Sequence, residues 1–140
     1  MATRSSIGIK NEKGEIRSVY CHYDGYPEWV GKVLVEHYDT TEKVEELLSL
    51  GALSSLGERV KPNENEEHSY ENPVRDVTVA YHRDRGEELN EAITFKNIDE
   101  VKKLFDWSIY HYVFDNGEWY VYYFKDEDRK LVKAVLKKEE

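Results

Sequence analysis

Cys21, His22 and Asp24 fall within four consecutive positions, and Arg83 and Arg85 are separated by one residue. These are the side chains whose types and spacing could do chemistry. A thiol beside an imidazole suggests a nucleophile and its base; an imidazole two residues from a carboxylate suggests an oriented general base. Strand geometry separates the first pair, because successive strand residues point to opposite faces. His22 and Asp24 share a face, so Asp24 can orient the ring. Cys21, the only cysteine, then reads as a buried, inert thiol. No Cys-x-x-Cys or His-x-x-x-His spacing accompanies them, so no metal and no other cofactor is expected.

The arginines lie in Tyr81-His82-Arg83-Asp84-Arg85-Gly86-Glu87. His82-Arg83-Asp84 echoes the catalytic loop of protein kinases, but Leu89 stands where that loop needs asparagine. No Gly-rich phosphate loop or Asp-Phe-Gly accompanies it. What survives is a pair of guanidinium groups on one side of an extended segment, suited to carboxylate or phosphate. The competing reading is a surface ion-pair network with Glu87 and Glu88.

The elements that must position these residues follow from periodicity and turn chemistry. Ile7 and Ile9 mark a short strand, Asn11 to Gly14 a turn, and Ile16 to Tyr23 a second strand, which together predict a hairpin. Asp24-Gly25 supplies the next turn and Pro27 suits a first helical position. The stretch from Pro27 to Tyr38 predicts a helix, with Trp29, Val30, Val33, Leu34, His37 and Tyr38 three and four apart. Asp39 with Glu42 resembles a capping box opening a second helix over Thr40 to Leu50, and Gly51 stops it. Leu53 and Leu56 close the bottom of the core. The polar stretch 58–73 predicts a mobile loop. Val74 to Arg83 alternates like a strand, Ala92 to Phe95 is a short one, and Asn97 caps a third helix. Asn116-Gly117 between alternating rings predicts a two-residue hairpin turn, pairing Phe114 with Trp119, Tyr112 with Val121 and Tyr110 with Tyr123. The other face pairs Val113 with Tyr120, His111 with Tyr122 and Ile109 with Phe124. Leu131 to Leu136 adds a last strand or helix.

A chain of 140 residues fits one domain, 1–140, with a core able to fold without staples. Its net charge of -9 argues against general nucleic-acid binding and against an anionic membrane. One cysteine fits a reducing compartment, and no apolar run approaches a membrane span. The fold expectation is α+β: an antiparallel β-sheet with two to three helices packed on one face. Eleven tyrosines mean that many rings need partners for their hydroxyls.

Ala2 to Ile9, Tyr20-Cys21-His22-Tyr23-Asp24-Gly25-Tyr26-Pro27-Glu28, Glu36-His37-Tyr38, Val44 to Leu47, the Tyr81–Glu87 segment and Gly117-x-Trp119-Tyr120-Val121 together resemble a family of small uncharacterised proteins of tailed bacteriophages and prophages. Tyr23 departs from the tryptophan of that pattern but keeps a ring. The likeness fades after Gly57 and after Tyr123. It implies an origin, a phage accessory protein in the bacterial cytoplasm, and no catalytic mechanism.

The reading that joins these strands is a non-catalytic protein that binds a host protein or a small anionic, nucleotide-like ligand, antagonising a bacterial defence system. Its expected site joins Tyr20, His22, Asp24, Tyr26 and Trp29 to Arg83 and Arg85. One alternative is a small phosphate-directed enzyme using His22 and Asp24 with Arg83 and Arg85. Another is a homo-oligomer assembled through the aromatic hairpin at 109–124.

Overall fold

A computed structural model of the chain describes residues 3–105, 108, 110–123 and 129–131. The structure is a single α+β domain built on a mixed eight-stranded sheet. The strands are β1 (Ser5–Lys10), β2 (Ile16–Cys21), β3 (Leu53–Ser55), β4 (Val79–Ala80), β5 (Ile93–Phe95), β6 (Tyr110–Asp115), β7 (Glu118–Tyr123) and β8 (Arg129–Leu131). Their order is β4-β3-β2-β1-β6-β7-β8, with β5 also paired to β2. Most neighbours are antiparallel; β1 with β6 and β2 with β3 run parallel. The parallel pairings arise because the hairpins are joined by long crossovers that return the chain in the same direction.

Each hairpin has the register its turn requires. Asn116 and Gly117 sit at φ of 53° and 85°, the left-handed values of a two-residue hairpin turn. Phe114 faces Trp119, Val113 faces Tyr120, Tyr112 faces Val121, His111 faces Tyr122 and Tyr110 faces Tyr123, as the sequence predicts. The expected Ile109–Phe124 pair and residues 132–136 lie outside the described residues.

The helix from Pro27 opens as a π-helical turn, Pro27–Gly31, and continues as α1 (Lys32–His37). Helix α2 (Thr41–Leu48) is capped by the Thr40 hydroxyl, which accepts the Lys43 N–H, so Thr40 and not Asp39 is the cap. Both helices cover one face of the sheet. There Ile7, Val19, Cys21, Tyr112, Trp119 and Val121 meet Val30, Leu34, Val44 and Leu47 in the main core. A further helix, α4 (Ile98–Leu104), is capped by Asn97 through the Glu100 N–H. Its Val101, with Phe105 beyond its end, closes a smaller core against Ile16, Phe95 and Val113 on the opposite face.

The buried rings hold the layers in register through their polar ends. Tyr38 Oη donates to Gly57 O at 2.7 Å, Trp119 Nε1 to Tyr38 O at 2.7 Å and Tyr112 Oη to Gly25 O at 2.7 Å. Each ring places its apolar body in the core and ties a loop carbonyl with its tip. Burial pushes the Tyr38 phenol up to about 12, so it stays a donor at neutral pH. The hairpin rings are accordingly core: Tyr112, Phe114 and Trp119 are buried, while Tyr110, Tyr120 and Tyr122 are half-buried.

One element differs in kind from the expectation. The segment read as a strand over Val74 to Arg83 is a two-residue β4 followed by a helical turn, α3 (Tyr81–Arg85). The Asp84 carboxylate accepts the Ala80 N–H at 2.8 Å, and Gly86 ends the turn at φ 77°. An acid reaching back four residues satisfies an N–H that a strand neighbour would otherwise take.

His111 is fully buried beneath the small core, with Nδ1 2.9 Å from Ser6 Oγ. Burial, aided by Lys102, pushes its pKa down to about 4. The unfolded chain takes up this proton below about 6.5 while the folded one resists until about 4. Its contribution is therefore complete above pH 6.5 and falls as pH drops toward 4. Melting curves from pH 7 to 4 should show a shallower loss of stability for His111→Gln than for the parent. A second outcome concerns the turn: Gly117→Val should lower the melting temperature, costing about 1–3 kcal/mol, since the backbone must hold φ 85°.

Candidate functional site

β2 ends at Cys21, and the chain continues beside β3 before it turns. The His22 N–H bonds Leu53 O at 3.0 Å and the Tyr23 N–H bonds Ser54 O at 2.9 Å. On the other side of β3, Leu53 pairs with Ala80 and the Tyr81 N–H reaches Ala52 O. β3 thus places the Tyr20–Tyr23 strand end and the start of α3 side by side.

What gathers there is a group of phenols. Tyr20 Oη lies 2.5 Å from His22 Nδ1, and the Tyr23 ring meets the His22 ring edge-on at 4.5 Å. The Tyr81 phenol is raised by burial, lowered by its bond to Ser54, and raised by the neighbouring phenols of Tyr70, Tyr20 and Tyr23. Tyr70 packs on Tyr81 with ring centres 6.2 Å apart. The Arg85 guanidinium lies 4.9 Å from the centre of the Tyr70 ring, a cation–π contact, and its Nε is 3.2 Å from Glu87. Burial and then the Arg4 charge lower the His22 pKa. The direction of the Tyr20–His22 hydrogen bond follows the tautomer of the imidazole.

Other expected site residues lie elsewhere. Asp24 does not bond His22; it stands at φ 56° and accepts from the Tyr26 hydroxyl at 3.3 Å. The His22–Asp24 acid–base pair is not assembled, because the left-handed turn ends the strand alternation that put the two on one face. Gly25 is needed for space: a Cβ there would stand 2.7 Å from Thr3 O and Ser5 Cβ. Trp29 packs against the main core and donates to Leu56 O at 3.1 Å. Cys21 is fully buried, and burial pushes its thiol up to about 12, which leaves almost no thiolate at neutral pH.

Arg83 and Arg85 do not act as a pair. In a helical turn, residues two apart diverge by roughly 200°. Arg83 is consumed within the fold: Nη1 donates to Val60 O, Nη2 to Thr78 O at 2.6 Å, and Nε and Nη2 to the Asp84 carboxylate at 2.9 and 3.0 Å. Asp84, its side chain 4% exposed, also lies 3.2 Å from His68 Nε2. Burial raises the Asp84 carboxyl, but the bonds from Arg83, the Ala80 N–H and His68 outweigh it and hold it below its ordinary value. His68 Nδ1 accepts the Val74 N–H at 2.9 Å, so the ring is fixed with its proton on Nε2, facing Asp84. This buried network ties the stretch 58–78 to α3 and delivers Tyr70 to Tyr81.

Sequence reasoning missed Tyr23, Ser54, Tyr70, Tyr81 and His68. A lone ring and a lone imidazole inside the polar 58–73 stretch were the available signal, since a solvated loop has no use for either. A cleft of about 880 Å³ lies at the opposite end of β1 and β2, between the two hairpin turns and Thr41. Among the described residues no group of three or more His, Cys, Asp or Glu is placed to hold a metal, and no helix is long and apolar enough to cross a membrane. No protein-family model, curated protein or solved structure matches this chain.

The two arginines should separate in mutation. Arg83→Ala leaves the buried Asp84 carboxylate without its main partner and should cost about 3 kcal/mol in chemical denaturation. Arg85→Ala removes a half-exposed ion pair and should change stability by less than about 1 kcal/mol.

Proposed function

We propose that this chain is a non-catalytic binding protein whose site is the phenol cluster of Tyr20, Tyr23, Tyr70 and Tyr81 with His22 and Arg85. The observation that carries the reading is the convergence of four phenols, an imidazole and a guanidinium beside β3. Such a group can hold a ligand by hydrogen bonds and ring contacts. The positive charges of Arg85 and Arg4 beside it favour an anion. Its rings favour a ligand with a flat apolar part. A small nucleotide-like anion meets both requirements. The resemblance to phage proteins supplies the proposed setting: an accessory protein in the bacterial cytoplasm that withholds such a ligand from a defence system.

A host protein is the second reading, favoured by the exposure of Tyr23 and Tyr26, since tyrosine and arginine are enriched where interfaces are strongest. Untargeted mass spectrometry of material released on denaturing the purified protein separates the two. The account expects a small anionic compound from the parent and its loss from His22→Ala/Arg85→Ala. In titration calorimetry that double variant should bind the compound at least tenfold more weakly, about 1.4 kcal/mol, at an unchanged melting temperature. Recovery of equal amounts from parent and variant would exclude this site.

A further inference from the structure

β5 lies off the main path of the sheet and pairs with β2 alone among the described strands. The direction of its backbone groups follows from β2. The Asn11 N–H bonds Glu15 O across the first hairpin, and the His22 N–H bonds Leu53 O of β3. Backbone groups alternate in direction along a strand. Arg17 and Val19 therefore point at β1, while Ile16 and Ser18 point away from it, at β5. Ile16 faces Phe95, Arg17 faces Thr94 and Ser18 faces Ile93. Ile93 and Phe95 then exchange hydrogen bonds with β2, and the N–H and C=O of Thr94 point outward. Among the described residues nothing pairs with them, and Thr94 is exposed. The next outward N–H, that of Lys96, is taken by the Glu100 carboxylate at 2.8 Å. The open length of edge is centred on Thr94.

An open edge is a template for another strand, and three features make this one complementary to itself. An antiparallel pair related by a two-fold axis at Thr94 forms two bonds, each Thr94 N–H donating to the other copy's Thr94 C=O. The same register sets Ile93, which is 44% exposed, opposite Phe95 of the second copy, on the face that carries the small core. It also brings Glu91, just before β5, to the end where the second copy carries Lys96, just after it. Both side chains are exposed, and neither has an ion-pair partner among the described residues. Opposite charges at the two ends of one strand meet in antiparallel self-pairing; a parallel arrangement would set like charges together.

We propose that the outer edge of β5 is a homodimer interface, where two copies pair antiparallel about Thr94 and join their sheets into one. The edge is three residues long, and the net charge of -9 on each copy opposes association. The dimer is therefore weak and depends on protein concentration. It is independent of the ligand reading above and shares no residue with that site.

Sedimentation equilibrium of the full chain over a concentration series tests this. The parent should move from one chain to two as concentration rises. Thr94→Pro removes the outward N–H and none of the bonds to β2, a place where a strand accepts proline. It should weaken the dimer at least tenfold, with circular dichroism unchanged. Glu91→Lys and Lys96→Glu each bring like charges together at both ends, so each should weaken the dimer several-fold. The variant carrying both reversals restores the opposite pairs and should dimerise like the parent, a rescue that general damage to the fold would not produce. A parent that stays monomeric at its highest soluble concentration would overturn the proposal. So would a Thr94→Pro variant that dimerises like the parent, or a double reversal as weak as either single one.

Discussion

The buried contact between Arg83 and Asp84 governs how the two distinctive parts of this chain come together. A carboxylate that is almost fully buried is costly unless charge and hydrogen bonds replace the water it has lost. Here Arg83, the Ala80 N–H and His68 do so. The same guanidinium bonds the carbonyls of Val60 and Thr78. One ion pair therefore fixes the entry to the 58–78 stretch, its exit and the turn α3. Through that stretch it helps to place Tyr70 against Tyr81, alongside the Arg85 contact with the Tyr70 ring.

A second constraint acts through the sheet. β3 is short, yet it carries the contact between the Tyr20–Tyr23 strand end and α3 by bonding one on each edge. Its position depends on the main core beneath it, where Leu53 is fully buried. The rings of Tyr38, Trp119 and Tyr112 each tie a backbone carbonyl from inside that core. Burial energy and loop geometry are thus supplied by the same side chains, which is how a chain with modest aliphatic content holds a single structure.

The parts of this fold that could be read from sequence are those fixed by local chemistry. Asn116-Gly117 determined its hairpin register residue by residue, since few pairs other than Asn-Gly accept positive φ twice in succession. Asn97 identified the start of α4 for the same kind of reason. The segment after Val74 could not be read this way. Its alternation of Val77, Val79 and Tyr81 resembles a strand, and the Asp84 carboxylate reaching back to the Ala80 N–H, with Gly86 ending the turn, makes it helical from Tyr81. The site followed the same division. Tyr20 and His22 were legible as neighbours on a strand face, but the loss of Arg83 to the interior depends on carbonyls 23 and 5 residues away. Asp24 was misplaced by one left-handed residue, which no periodicity reveals.

The claim that the Arg83–Asp84 contact assembles the site can be measured without any ligand, by amide hydrogen exchange on Asp84→Asn. The amides of Arg59, Val74, Val77 and Thr78, each bonded within this stretch, should lose protection together, while those of β1, β2, β6 and β7 keep theirs. If the 58–78 amides of the variant exchange as slowly as the parent's, the stretch is held by something else and the account of how the site is built is wrong.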